Sequence, residues 1–172
     1  RDHPAGVAAM RWKIPMVGFA AYSGVGKTTL IEGLVAHFAA QGIRTAVIKH
    51  DGHGFQMDRP GTDSHRFTQA GAAVTVLTSA GQTAVIEDRG RSLAEAAALI
   101  EGVDLILVEG WKQGDHPQIG LRRGETGFPG PPERYIALVS DRQEQADIPC
   151  FRFDQTEAIA AFILAYCRTW GR

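Results

Sequence analysis

Short apolar runs alternate along the chain with segments in which apolar residues recur every three to four positions. The first run, Met16–Ala20, is followed by a glycine-containing loop and then by a helical pattern that stops at Gly42. The apolar residues of that pattern are Ile31, Leu34, Val35 and Phe38. This order predicts a strand, a loop and an amphipathic helix in succession.

The later apolar runs predict further strands. They span 45–49, 74–77, 83–86, 105–108, 119–121, 135–139 and 151–153. We expect the strand at 45–49 to be buried, and the continuous run at 105–108 is typical of a central strand covered on both faces. Because helical patterns separate these strands, the predicted fold class is α/β, with a doubly wound, mostly parallel sheet.

Capping signals predict three more helices. Thr62 or Asp63 is placed to cap a short one that ends at Gly71. A capping box over 92–95 opens the second. Asp154, three residues before a glutamate, is predicted to cap the last helix. The apolar stripe of that helix contains Ile159, Phe162, Ile163 and Tyr166.

The loop at 21–28 reads Ala-Tyr-Ser-Gly-Val-Gly-Lys-Thr, and it carries the strongest chemical signal in the chain. Gly24 and Gly26 let backbone N–H groups approach an anion, and the helix that follows points its positive end at the same place. Lys27 adds a charge for the outer phosphates, and the hydroxyl of Thr28 is a ligand for Mg²⁺. Ala21 stands where the pattern usually has its first glycine, so it must have a backbone conformation that alanine tolerates. We therefore expect a phosphate-binding loop and a sheet of the P-loop NTPase type.

Other polar residues follow strands whose carboxyl ends should meet this loop. Glu109 ends the run at 105–108 and is expected to hold Mg²⁺ opposite Thr28. Asp141 follows the strand at 135–139, where one carboxylate can accept both N–H donors of guanine. Ordinary solvated carboxylates are the alternative at both positions.

A second group of residues is more ambiguous. Lys49 and His50 end the second strand, and three readings stay open: metal binding with His53, contact with a phosphorylated or pterin-like substrate, or a polar loop without a ligand. Trp111, which is followed by a lysine, suits stacking on a planar ring or packing under its loop. The two adjacent arginines at 122–123 suit either bidentate binding of a phosphate or a solvated strand edge.

Composition narrows the class of protein. With 172 residues, 44% of them hydrophobic, and a net charge of -1, we expect one globular domain without a nucleic-acid or membrane partner. Cys150 and Cys167 are far apart in the sequence, which fits a protein of the reducing cytoplasm. We expect residues 1–13 to be an N-terminal tail and 14–172 to form the nucleotide-binding domain.

Four segments together resemble the molybdopterin-guanine dinucleotide biosynthesis adaptor family, MobB. They are FAAYSGVGKTTL at 19–30, IKH at 48–50, DRPGTDS at 58–64 and DLILVEGWK at 104–112. The resemblance covers roughly 14–170. It implies a GTP-binding, weakly GTP-hydrolysing homodimer that assists the guanylyltransferase MobA in joining GMP to molybdopterin. Molybdopterin-carrying proteins are a further expected partner.

Two alternatives to this adaptor stay open, a P-loop small-molecule kinase and a nucleotide-delivery module without turnover. For the adaptor, Lys27 and Glu109 are the expected catalytic residues of at most a slow GTPase, with Arg59 or Arg142 as candidate arginine fingers. Thr28 and Glu109 are the expected Mg²⁺ ligands. The expected GTP-binding residues are Ser23, Gly24, Val25, Gly26, Lys27, Thr28, Thr29, Lys49, His50 and Asp141.

Overall fold

The structure, a computed structural model, describes residues 12–170 and contains two compact units. The larger unit consists of the chain up to His50 and again from Leu93, and the smaller unit is Asp51–Ser92. Nothing in the hydrophobic pattern predicted this division, because the strands and helices of both units have ordinary lengths and compositions.

The predicted order of strands and helices is confirmed. The strands are β1 Met16–Ala20, β2 Thr45–Lys49, β3 Val74–Thr78, β4 Thr83–Glu87, β5 Leu105–Glu109, β6 Gln118–Arg122, β7 Ala137–Ser140 and β8 Cys150–Phe151. The helices are α1 Lys27–Ala40, α2 Asp63–Gln69, α3 Leu93–Ala98 and α4 Thr156–Cys167, with a 3-10 turn at Pro132–Arg134.

The larger unit contains a six-stranded sheet in the order β2-β5-β1-β6-β7-β8, and all its strand pairs are parallel. This confirms the predicted α/β class and the mostly parallel sheet. The carboxyl ends of β1, β2 and β5 therefore share one edge, with Phe19 opposite Glu109 and Lys49 opposite Glu109. That edge is where ligands bind in sheets of this type.

Both faces of the central strands are covered. Val17 and Phe19 of β1 pack with apolar residues of α1 and α4, including Leu34 and Ile163. The other face of the sheet packs against Leu93 of α3 and residues near the start of the described chain. Every residue of β1 and β5 is buried, as predicted for β5.

The prediction that the strand at 45–49 is buried was wrong. β2 is an edge strand that pairs only with β5, so Ile48 is its one buried residue and Val47 is 46% exposed. An apolar run reports burial of side chains on average and does not distinguish an edge strand from a central one.

Two predicted boundaries also changed. Trp12 was assigned to the tail, but it is 5% exposed, and its carbonyl accepts a hydrogen bond from Nε1 of Trp170 at 3.0 Å. The rest of the predicted tail, 1–11, lies outside the described residues.

The N-cap of α4 is Gln155 and not Asp154. Gln155 turns its side chain back to the backbone N–H of Arg152, at 2.7 Å, and the helix begins one residue later.

A crossover without a helix connects β5 to β6, which lie on opposite sides of β1. This crossover, residues 110–117, packs directly on β1 through His116. A Cβ on Gly18 would lie 2.3 Å from Nε2 of His116, so only glycine permits this approach. His116 is 4% exposed, and neither ring nitrogen has a hydrogen-bond partner among the described residues. Burial lowers the pKa of its imidazole to about 4, against a weaker opposing effect of Asp115, so the ring is neutral at physiological pH.

The smaller unit contains α2 and an antiparallel hairpin formed by β3 and β4. Thr62 is the N-cap of α2, but its hydroxyl donates to the carbonyl of Arg59, at 2.7 Å, and makes no capping bond. One face of the hairpin exposes a valine stripe, which consists of Val74, Val76 and Val85, each more than half exposed. An isolated two-stranded hairpin is marginally stable in water, so this face is a candidate for further packing.

Candidate functional site

The loop between β1 and α1 has the backbone geometry that an anion site requires. Gly24 has a φ of 80° and Gly26 a φ of 105°, both in the left-handed region that glycine adopts without strain. Gly26 is the N-cap of α1, and the described residues provide neither a side-chain cap nor an acidic residue in the first turn. The first N–H groups of the helix are therefore left for a ligand.

Ala21 fits this loop without strain. It is 1% exposed, and its φ is not positive. Among the described non-glycine residues, only Trp111 has a positive φ. The position is thus part of the apolar core and not a turn that needs glycine. Val25 is buried as well, while Ser23 and Thr29 are exposed.

The two residues expected to hold Mg²⁺ lie in direct contact. The hydroxyl of Thr28 donates a hydrogen bond of 2.8 Å to Oε1 of Glu109, across 81 residues of sequence. Glu109 is 8% exposed, although it is a carboxylate at the end of a strand. A hydroxyl and a buried carboxylate beside a phosphate-binding loop are the oxygen ligands that Mg²⁺ uses when phosphates supply the rest. No group of three or more His, Cys, Asp or Glu residues suited to a metal occurs within 12–170, so a metal held by protein alone has no support there.

Lys27 interacts with Glu109 and with two other ammonium groups, those of Lys49 and Lys112. Burial is the main cause that lowers the pKa of Lys27, Glu109 acts in the opposite direction, and the charges of Lys112 and Lys49 lower it further. Nζ of Lys49 is 4.0 Å from Oε1 of Glu109. We call Lys27, Lys49 and Lys112 the lysine cluster. Its mutual repulsion is relieved when an anion binds among the three groups.

The crossover after β5 contacts both the end of β2 and the phosphate-binding loop. Its Trp111 has a φ of 56°, a strained conformation for a non-glycine residue, and its ring stacks on His50 at 4.1 Å between centroids. The backbone N–H of His50 donates to the carbonyl of Glu109 at 2.8 Å. Lys112 lies over the ring of Tyr22, with Nζ 5.0 Å from the centroid. The site therefore brings Lys49 and His50 next to Glu109, and Trp111 already has a planar partner.

Asp141 lies at the end of β7, beside the loop that follows β6. Its Oδ2 accepts the backbone N–H of Gly124 at 2.9 Å, and this bond is the main cause that lowers the pKa of the carboxyl group. Oδ1 lies 3.7 Å from Nε of Arg142. The residue is a carboxylate with one oxygen engaged by backbone.

The arginines that the sequence singled out have different roles. Arg122 forms a bidentate pair with Glu144, whose Oε1 also accepts from the hydroxyl of Ser140. Arg142 donates to the carbonyl of Gly124. Arg59 belongs to the smaller unit. Arg123 touches the phosphate-binding loop through its bond to the carbonyl of Val25, and no pattern in the sequence separated it from its neighbour.

The described residues contain no helix long and apolar enough to cross a membrane. Residues 16–141 match the family model described as molybdopterin guanine dinucleotide synthesis protein B, MobB. The chain belongs to the MobB family. It is 35% identical over 164 residues to the molybdopterin-guanine dinucleotide biosynthesis adapter protein of Escherichia coli, covering 89% of this chain and 93% of that protein. The protein of the same description from Haemophilus influenzae is 36% identical over 163 residues, covering 91% and 92%.

Solved structures show the same fold. The crystal structure of Bacillus subtilis MobB aligns with a TM-score of 0.71 at 25% identity, covering 89% of this chain and 98% of that one. The matched region of the family model contains the phosphate-binding loop, Glu109 and Asp141. The family resemblance inferred from the sequence segments is therefore confirmed.

Proposed function

We propose that this chain is a GTP-binding adaptor of molybdenum cofactor biosynthesis, which assists the attachment of GMP to molybdopterin. The observation that carries the proposal is the bond between Thr28 and Glu109 at the uncapped start of α1. It places two candidate Mg²⁺ ligands beside a backbone whose free N–H groups suit a phosphate. The relatives named as adapters of molybdopterin-guanine dinucleotide biosynthesis supply the biological context.

In this proposal the loop residues Ser23–Thr29 and the lysine cluster bind the phosphates of GTP. Thr28 and Glu109 hold Mg²⁺, which supplies charge neutralisation at the outer phosphates. The three lysine charges exceed the single carboxylate of Glu109, and this excess suits a ligand that remains anionic after it binds Mg²⁺. Lys27 would hold the terminal phosphate, and Glu109 would orient the metal, in at most slow hydrolysis.

Asp141 is the proposed reader of guanine. The bond from Gly124 lowers the pKa of this carboxyl group and favours its ionised form, which accepts N–H donors and offers none. Guanine presents two such donors on one edge and adenine does not. We therefore propose that GTP is preferred to ATP.

The test is calorimetric titration of the parent protein with GTP, GDP and ATP, with and without Mg²⁺. We expect Mg²⁺-dependent binding of GTP and weaker binding of ATP. A Lys27→Ala protein should bind GTP at least about tenfold more weakly, since it loses a charged contact to phosphate. Lys13→Ala is the matched control, because Lys13 precedes β1 at the amino ends of the strands, away from the phosphate-binding loop. GTP binding by Lys27→Ala as tight as in the parent would refute the assignment.

The proposed partners are MobA, molybdopterin-carrying proteins and a second copy of this chain. The valine stripe supports the homodimer, because three half-exposed valines on a small hairpin suit an apolar interface.

For the MobA partnership, GTP hydrolysis and dinucleotide synthesis are measured with the guanylyltransferase present and absent. A rate of dinucleotide synthesis that this chain does not change would contradict the adaptor role.

The kinase alternative has no specific support in the described residues. A kinase lid needs arginines that are available to close on phosphates. Arg122 is paired with Glu144, and Arg134 donates to the carbonyl of Lys112 at 2.8 Å. Arg123 is already held against the phosphate-binding loop through the carbonyl of Val25, so it is not placed to move with a lid. Transfer of labelled phosphate to a pterin or a nucleoside remains the assay that distinguishes a kinase from an adaptor.

A further inference from the structure

Arg123 contacts the phosphate-binding loop from the loop after β6, which is distant in sequence. Its Nε donates a hydrogen bond of 2.9 Å to the carbonyl of Val25, across 98 residues. One terminal nitrogen lies 3.4 Å from where a Cβ on Gly26 would stand. The guanidinium is therefore adjacent to the left-handed turn that ends the loop.

The position of this guanidinium is fixed from two sides. Its carbon lies 4.0 Å from the centroid of the Phe153 ring, which orients the planar group. The backbone of the Arg123 loop is tied down as well, since Thr126 donates to the carbonyl of Arg123 at 2.6 Å and Gly124 donates to Asp141. A planar cation held by stacking and by a backbone bond is preorganised, so little side-chain entropy is lost when it binds a ligand.

Most of the donors of Arg123 are unused. A guanidinium has five N–H groups, and among residues 12–170 only Nε has a hydrogen-bond partner. The side chain is exposed, and no carboxylate forms an ion pair with it in the described chain. The neighbouring Arg122 differs, because both of its forked contacts go to Glu144.

We propose that Arg123 is a phosphate-binding residue of the nucleotide site, supplied by the loop after β6 of the same chain. Nε holds the phosphate-binding loop through Val25, and the terminal N–H groups bind phosphate oxygens of the nucleotide. This role rests on the proposed function, because it requires a polyphosphate in the loop. Lysine does not replace it, since lysine has no N–H along its stem to hold the carbonyl of Val25 while its head binds phosphate.

The test compares Arg123→Gln with Arg44→Gln. Arg44 also donates Nε to a backbone carbonyl, that of Gly102 at 2.7 Å, but it precedes β2 at the opposite edge of the sheet. Calorimetry with Mg²⁺ measures binding of GTP and of inorganic tripolyphosphate, and melting temperature reports folding. We expect Arg123→Gln to bind both ligands about ten- to a hundredfold more weakly, and Arg44→Gln to bind as the parent does.

Arg123→Lys separates charge from geometry. Because it keeps the charge, its affinity for tripolyphosphate should fall between those of the parent and Arg123→Gln. The proposal is overturned if Arg123→Gln binds GTP as the parent does, or if it loses GTP affinity without losing tripolyphosphate affinity. An Arg123→Lys protein that binds both ligands as tightly as the parent would also overturn it, because the proposal requires Nε at the carbonyl of Val25. A parent protein that binds neither ligand refutes the proposed function itself, which is a different result.

Discussion

The buried imidazole of His116 should make the stability of this protein fall as the pH is lowered. Its pKa is about 4 in the folded protein, where burial opposes the charged form, and 6.5 is its ordinary value in an unfolded chain. Between these two values the unfolded state binds more protons than the folded state, so the free energy of unfolding decreases with decreasing pH. The full difference corresponds to roughly 3 kcal/mol, of which about 2 kcal/mol is lost between pH 8 and pH 5. The stabilising contribution of His116 is fully present at pH values above 6.5, the pKa of the imidazole in the unfolded chain.

Urea denaturation from pH 8 to pH 4 measures this effect when the parent is compared with His116→Leu. Groups other than His116 titrate in both proteins, and the charges of Asp115 and Arg134 that act on the imidazole are present in both. The difference between the two pH profiles therefore isolates His116. Whatever its free energy of unfolding at pH 8, the variant should lose about 2 kcal/mol less of it than the parent between pH 8 and pH 5. Parallel profiles for the two proteins would refute the reasoning.

Three further outcomes are expected. Thr28→Ala should reduce the effect of Mg²⁺ on GTP affinity at least about tenfold, because it removes one proposed ligand of the metal. Titration with and without Mg²⁺ measures this effect, and an unchanged Mg²⁺ effect would contradict the metal assignment. Val76→Glu should shift the protein towards monomer in sedimentation equilibrium, since it places a charge in the valine stripe; an unchanged mass would exclude that face as the interface. Gly120→Ala should lower the free energy of unfolding by about 1–3 kcal/mol, because the added Cβ would lie 2.5 Å from the ring of Tyr135; an unchanged melting temperature would show that the ring moves freely.

The grouping of the side chains of the site was predictable because they are neighbours in sequence or end neighbouring strands of one parallel sheet. The glycine loop, the helix after it and the apolar run before Glu109 each have a pattern of their own. Parallel pairing then brings strand ends together, so the contact between Thr28 and Glu109 follows from the fold class. The family resemblance rested on the same segments.

Other features depend on tertiary contacts that no local pattern records. Arg122 and Arg123 are identical in type and adjacent in sequence, yet one pairs with Glu144 and the other with the phosphate-binding loop. His116 is buried because the crossover has no helix and lies on a glycine of β1. The division into two units and the exposed edge position of β2 were missed for the same reason.

The strained, stacked conformation of Trp111 gives this protein an optical probe of its own. The chain has three tryptophans, and the other two, Trp12 and Trp170, are joined to each other by a hydrogen bond. Trp111 follows Glu109 by two residues and rests on an imidazole, so its emission should respond when charge or polarity changes at the strand end. Replacing Trp12 and Trp170 with phenylalanine would leave a single tryptophan, whose emission would report binding of the proposed nucleotide and metal in real time without an attached dye.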